Sequence, residues 1–221
     1  MNTATSVRGR VLVVTALPDP HSLLSAVIQE MKAGFADHGH TDVVIHDLVA
    51  SGFDPVFGPA DLTAYRAASR GETAPIPADV QAEQELLLTA DVVVVAFPLY
   101  WWSLPAVLKG WIDRVMTRGW AYETAGRGES AIRALHFVGL SAFTQEPFER
   151  HGYAQAMTTQ LEHGIASYMN VGSSGFHTLF ESESDDPNRH ANTLAEARHI
   201  GATIADHTAT ASSGRQSSLT N

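Results

Sequence analysis

Continuous apolar runs rich in β-branched residues alternate along this chain with segments whose apolar positions recur every three or four residues. Arg10–Ala16 (RVLVVTA) is the first such run, the pattern of a strand covered on both faces. Two prolines in Leu17–His21 end it. Ser22 follows as a candidate N-cap, and Leu23, Leu24, Val27, Ile28, Met31 and Phe35 then recur at helical spacing as far as His38-Gly39. Asp42–Asp47 (DVVIHD) is a second strand, so residues 10–47 form a βαβ unit, whose right-handed crossover requires parallel pairing. Asp91–Phe97 (DVVVVAF), Ala134–Ser141 and the glycine-weakened Asn170–Leu179 read as three more strands. Helical periodicity marks Ala78–Thr89, Tyr153–Tyr168, Thr193–His207 and Ala106–Met116, whose Val107, Leu108, Trp111, Ile112 and Val115 share one face. Leu48–Pro77, with four prolines and weak periodicity, is expected to be a long inserted covering loop.

Five strands alternating with helices predict an α/β fold, a doubly wound five-stranded parallel sheet of order 2-1-3-4-5 with helices on both faces. One domain is expected over residues 10–207, between a disordered N-terminus (1–9) and a Ser/Thr-rich disordered tail (208–221). Ligands of such sheets bind beyond the carboxyl ends of the strands, at the switch between strands 1 and 3. Leu17–Leu24, Pro98–Leu104 and Ser141–Tyr153 are therefore expected to converge on one site.

Composition narrows the chemistry. Over 221 residues the chain has 14 Lys and Arg against 24 Asp and Glu, a net charge of −10, and no cysteine. That excludes disulfide scaffolds, Cys-ligated metal and thiol catalysis, and it argues against nucleic acid as the partner. The longest apolar run, Val92–Trp102, is far below the roughly 20 residues of a membrane span, and Met1–Arg10 has no secretory apolar region, so no membrane insertion and a cytoplasmic location are expected. Of the 11 histidines, His38-Gly39-His40 has no acidic partner at ligand spacing and H-E-x-x-H is absent, so no metal is expected. Glu181–Asp186 reads as a solvated acidic loop, Lys109 with Asp113 as a surface ion pair, and the G-x-S-x-G elbow of a Ser hydrolase is missing.

The informative segment is Pro98-Leu99-Tyr100-Trp101-Trp102-Ser103-Leu104-Pro105, three consecutive aromatics between prolines directly after the most buried strand. Planar side chains and free backbone amides on a loop stiffened by proline suit a large flat heteroaromatic such as isoalloxazine; packing into the core or an interface is the competing reading. At the first loop, Ser22 stands where the unpaired N–H groups and positive dipole end of a helix can hold a phosphate, with His21 beside it.

Phe97–Arg114 (FPLYWWSLPAVLKGWIDR) closely resembles the flavin-binding segment of the NAD(P)H:quinone oxidoreductase family of flavodoxin-like proteins. Gly119-Trp120-Ala121-Tyr122 is similar to the ancillary reductases of bacterial potassium-efflux systems in that family. The likeness follows element order from Arg10 to His207 and is strongest over residues 91–122. It implies a flavodoxin-like fold, a homodimer, a non-covalent flavin (FAD, with FMN the other candidate) and two-electron ping-pong hydride transfer from NAD(P)H to a small-molecule quinone-like acceptor. By position, Pro98, Leu99, Tyr100, Trp101 and Trp102 would contact the flavin ring, and Ser22, Leu23 and Leu24 would stand at the phosphate end. Tyr122 would approach the substrate face from a partner subunit. His151 lies near where the family carries a histidine that stabilises the reduced flavin, a role an imidazole can fill as cation or donor. Ser141 and Ala142 stand where the family has Thr-Thr-Gly-Gly, and Phe143 follows; Leu17 and Leu24 replace the family's His and Asn. These departures bear on how tightly a flavin is held. A nitro- or azo-compound reductase is the variant within this class. A regulatory flavin- or nucleotide-binding subunit of a membrane transporter is the rival from another class.

Overall fold

The protein is described by a computed structural model over residues 9–123 and 132–216, with side chains of the last helix followed to Asp206. Five strands, β1 (Val11–Thr15), β2 (Val43–Asp47), β3 (Val92–Pro98), β4 (Ala134–Leu140) and β5 (Ser173–Leu179), form one all-parallel sheet of order β2-β1-β3-β4-β5. The doubly wound order predicted from the alternation is therefore the one observed. The three central strands are buried almost throughout, which is why they read as unbroken apolar runs rather than alternating ones. Thr15 is buried within β1, and its hydroxyl donates to the Ala96 carbonyl at 2.8 Å.

One face of the sheet is covered by α1 (Leu23–Asp37) and α7 (Pro187–Gln216), around Val27, Ile28, Met31, Phe35, Ala197 and Ile204. These two helices approach backbone to backbone. A Cβ on Gly34 would come 2.0 Å from the Arg198 carbonyl oxygen, and one on Gly201 would come 2.3 Å from that of Met31. The other face carries α3 (Ala78–Leu88), α4 (Ala106–Val115), α5 (Gln145–Arg150) and α6 (Tyr153–Thr158). Trp111 is fully buried there, its indole N–H donating to Glu83 at 2.8 Å, while the same carboxylate bonds His46 at 2.9 Å.

Four boundaries differ from the expectation. The insertion contains a helix, α2 (Pro59–Ser69), begun by Pro59 at its first position and by the Asp61 carboxylate accepting from the Gly58 N–H at 2.8 Å. Its buried residues are Asp61 and Ala67, so it carries no apolar stripe for a periodicity argument to find. The region read as one helix from Tyr153 to Tyr168 is α6 continuing into a π-helical stretch, Thr159–Ser167, and it is preceded by a separate short helix, α5, set off from it by Gly152 at φ 75°. Asn170, at φ 56°, delays β5 to Ser173. Finally, α7 starts six residues early, at Pro187, with Asp186 accepting from the Asn188 N–H at 2.9 Å, and it continues to Gln216. Residues 208–216 of the expected tail are thus helical; the expectations for residues 1–8 and 217–221 lie outside the described residues.

Candidate functional site

Three loops leave the carboxyl ends of β1, β3 and β4. The first places Ser22 in extended backbone as the N-cap of α1, its hydroxyl accepting from the Ser25 N–H at 3.4 Å. Leu23 is half-buried against the α1/α7 core, and Leu24 is buried in it. A ligand-facing side chain at Leu24 is therefore ruled out by packing, and only its backbone can face a phosphate. His21 is exposed.

The second loop is a tight hairpin. Tyr100 and Ser103 exchange both backbone hydrogen bonds, at 3.1 and 3.0 Å, and the two residues between them, Trp101 and Trp102, have φ of 50° and 59°. Two consecutive left-handed residues are what a mirror-image turn requires, and glycine or asparagine usually supplies them. Tryptophan in that conformation costs of order 1–3 kcal/mol per residue, a strain that concentrates at functional sites. The two rings diverge. Trp101 is 93% exposed, whereas Trp102 stacks on Tyr153 with centroids 3.6 Å apart and lies 4.8 Å from Phe143. The Leu99 N–H donates to the Leu140 carbonyl at 2.9 Å, and its side chain fills the space a Cβ on Gly139 would take.

The third loop is pinned from both sides. Ser141 donates its N–H to the Leu179 carbonyl at 2.7 Å and accepts from the Phe143 N–H at 3.1 Å through its hydroxyl, while the Phe143 carbonyl accepts from the Glu181 N–H at 3.0 Å.

Leu99, Trp101, Trp102, Ser141 and Ala142 come together around a crevice of about 240 Å³, closed on one side by Phe143. The sequence had marked Phe143 only as bulk; its ring forms a wall. Pro98, Tyr100, Ser22, Leu23 and Leu24 do not line this crevice. His151 is exposed, its ring 5.7 Å from that of Tyr153, which stands between it and Trp102 in the stack. Tyr122 is elsewhere, in the wall of a cavity of about 830 Å³ that shares no residue with the crevice. Burial pushes its phenol pKa up, and the nearby Tyr65 and Tyr168 add to the shift. The two residues assigned catalytic parts are thus not brought together within one chain.

Sequence reasoning missed a fastening in the inserted segment, beside the second cavity. Arg114 is buried and donates to Asp61 at 3.0 Å, to Asp79 at 2.6 and 3.1 Å, and to the Asp54 carbonyl at 2.6 Å, with its guanidinium 5.3 Å from the Phe53 ring centre. One side chain on α4 thereby holds the loop after β2, α2 and α3. The signal was the arginine inside an apolar helix, with an aspartate two positions beyond each of Pro59 and Pro77. Among the described residues no metal-binding group of His, Cys, Asp and Glu occurs, and no helix is long and apolar enough to cross a membrane.

Comparison with known proteins bears on this geometry directly. The profile of the flavodoxin-like fold family matches residues 9–202. A Haemophilus influenzae protein described as an uncharacterized NAD(P)H oxidoreductase is 30% identical over 165 residues, covering 72% of this chain and 78% of that one. This chain belongs to the NAD(P)H:quinone oxidoreductase family of flavodoxin-like proteins. The ribosyldihydronicotinamide dehydrogenase [quinone] of Pongo abelii is 32% identical over 152 residues, 61% of this chain, and the match spans less than two thirds of that relative, 63%. Among solved structures, the NAD(P)H:quinone oxidoreductase of Methanothermobacter marburgensis superposes with a TM-score of 0.81 at 26% identity, covering 89% of this chain and 96% of that one. The family likeness read from the aromatic loop thus extends over nearly the whole fold.

Proposed function

We propose that this chain is a flavin-dependent NAD(P)H oxidoreductase that delivers two electrons, as a hydride, to quinones or similar flat acceptors. The observation that carries the reading is the strained aromatic hairpin at the switch point of a fold whose family members act on nicotinamide nucleotides and quinones. The loops suit a flavin in kind: flat side chains at Trp101 and Trp102, a hydroxyl at Ser141, and a helix start at Ser22 and Leu23 for phosphate. At about 240 Å³ the crevice is smaller than the roughly 300–1,000 Å³ typical of small-molecule sites, so it would grip one edge of the ring system rather than enclose it.

The flavin, when bound, would supply the redox chemistry. The chain's part is orientation and electrostatics. Pro98, Leu99 and Tyr100 set the hairpin, the Tyr153 stack holds Trp102 as a fixed wall, and Ala142 would offer its backbone to the ring edge. His151 is the proposed hydrogen-bond partner of that edge, acting from behind the Tyr153 ring, and Tyr122 would reach the substrate face from a second copy, because its own cavity is separate from the crevice. FAD is the flavin proposed, on the resemblance alone, with FMN the competing outcome. A homodimer and a cytoplasmic location complete the reading, the second supported by the absence of cysteine.

The test is an absorbance spectrum of the purified protein, after incubation with FAD or FMN and removal of the excess, followed by anaerobic NADPH. Flavin bands that bleach on NADPH and return on adding a quinone are expected. A chain that takes up neither flavin sinks the proposal and leaves the regulatory-subunit reading ahead.

A further inference from the structure

The hairpin that walls the crevice carries two tryptophans in left-handed backbone, a conformation that persists only where the surroundings hold it. A single helix grips it at two points. Tyr153, at the start of α6, stacks on Trp102 at 3.6 Å, and seven positions later Gln160 donates its side-chain amide to the Ser103 hydroxyl at 3.2 Å. Seven positions make about two helical turns, so both side chains leave the same flank. They reach consecutive residues of the hairpin, one through a ring and the other through a polar end.

Gln160 lies in the π-helical stretch Thr159–Ser167. Wide turns of this kind are uncommon and recur at functional sites. Buried residues step by four from Met157 to Leu161 and by five from Leu161 to Ala166, so the chain returns to the core one residue later than an α-helix would bring it. The stretch is also tied to the sheet, because Glu162 accepts from the Phe176 N–H of the edge strand β5 at 2.8 Å. The Gln160 amide thus reaches Ser103 from a segment anchored two residues away. Ser103 in turn exchanges both backbone hydrogen bonds with Tyr100, so a hold on its side chain is a hold on the closing pair of the hairpin.

We propose that Gln160 is a positioning residue of the candidate flavin site: through the Ser103 hydroxyl it keeps the hairpin closed and so fixes Trp101 and Trp102 as walls of the crevice. The inference rests on the flavin reading above and adds a residue from outside the three strand-end loops. Gln160 does not line the crevice, so it acts on a ligand only through the hairpin.

The test is amide hydrogen exchange of the full chain, followed by NMR, beside a fluorescence titration with whichever of FMN and FAD the parent takes up. Gln160→Met keeps the side chain's length and loses its donor. In that variant the Tyr100 and Ser103 amides should exchange about fivefold faster and the flavin should bind about fivefold more weakly. Exchange in β3 and β4 should match the parent, and the melting temperature should stay within about 3 °C. Gln160→Glu, whose carboxylate can accept from the Ser103 hydroxyl, should restore the protection of both amides. Ser103→Ala should reproduce Gln160→Met, and the double variant should be no worse than either. Unchanged exchange at Tyr100 and Ser103, unchanged flavin affinity, additive losses in the double variant, or faster exchange throughout the central strands overturns the proposal. A parent chain that takes up neither flavin overturns the reductase reading and this role with it, whereas a parent that binds flavin and a Gln160→Met that binds it equally well overturns this role alone.

Discussion

Replacing Arg114 by Met tests whether one buried cation fastens the inserted segment. Methionine keeps much of the stem's volume and loses the donors. Asp61 is then a carboxylate only 6% exposed in its side chain, left with the Gly58 N–H as its remaining partner, and the Asp54 carbonyl loses its bond. Removing one member of a buried pair costs about 3–5 kcal/mol, because the other charge stays desolvated. Asp79 adds little, since its side chain is 46% exposed and such pairs contribute about 0–1 kcal/mol. At about 2–4 °C per kcal/mol for a domain of this size, the melting temperature should fall by roughly 6–20 °C, measured by circular dichroism. The double variant Arg114→Met with Asp61→Asn should recover a large part of the loss, because it removes the stranded charge as well. A single variant melting within about 2 °C of the parent would refute the argument.

The same arginine sets a pH dependence. Hydrogen bonding to Arg114 holds the Asp79 carboxyl below its ordinary value, so its stabilising share is present above the unfolded carboxylate range and is lost as pH falls through the lower folded value. Asp79→Asn should therefore narrow the parent's stability advantage as pH drops below about 4, and an advantage that grows on acidification contradicts the sign. Phe143→Gly should enlarge the crevice and tighten flavin binding by about fivefold, or about 1 kcal/mol, in a fluorescence-quenching titration. An unchanged or weaker affinity means the Phe143 ring helps hold the ligand instead of crowding it. Gly34→Ala should destabilise by about 1–3 kcal/mol or more in urea unfolding, because its methyl would meet the Arg198 carbonyl; a neutral result would show that α1 and α7 slide apart freely.

Much of the fold was legible because its central strands are covered on both faces. Val92–Val95 and Val11–Val14 cannot be read as amphipathic, and continuous β-branched runs separated by helical periodicity leave few topologies open. The failures share one cause. Where an element is held by something other than an apolar stripe, periodicity says nothing: α2 is tied down by Asp61, and the start of α7 is set by Asp186 and Pro187. Within the site, loop-level reasoning brought Leu99, Trp102, Ser141 and Ala142 to one place, since strand ends in such sheets converge by geometry. It could not separate the two tryptophans, whose opposite fates follow from a turn conformation that no composition rule assigns to Trp. Nor could it show that Leu24, at helical spacing with Val27 and Ile28, would be spent on the core.

The backbone contact between α1 and α7 also constrains how the chain is made. Arg198 bonds Asp37 across 161 positions, and β1 finds β3 only after an intervening 81. During synthesis at about 5–20 residues per second, the apolar face of α1 emerges roughly 8–30 s before the helix that covers it. For that interval Val27, Ile28, Met31 and Phe35 have no permanent neighbour on their outer side. The nascent chain is thus a client for any factor that binds exposed apolar helices on the ribosome. Truncation ahead of α7 should yield a protein that aggregates rather than a smaller stable domain.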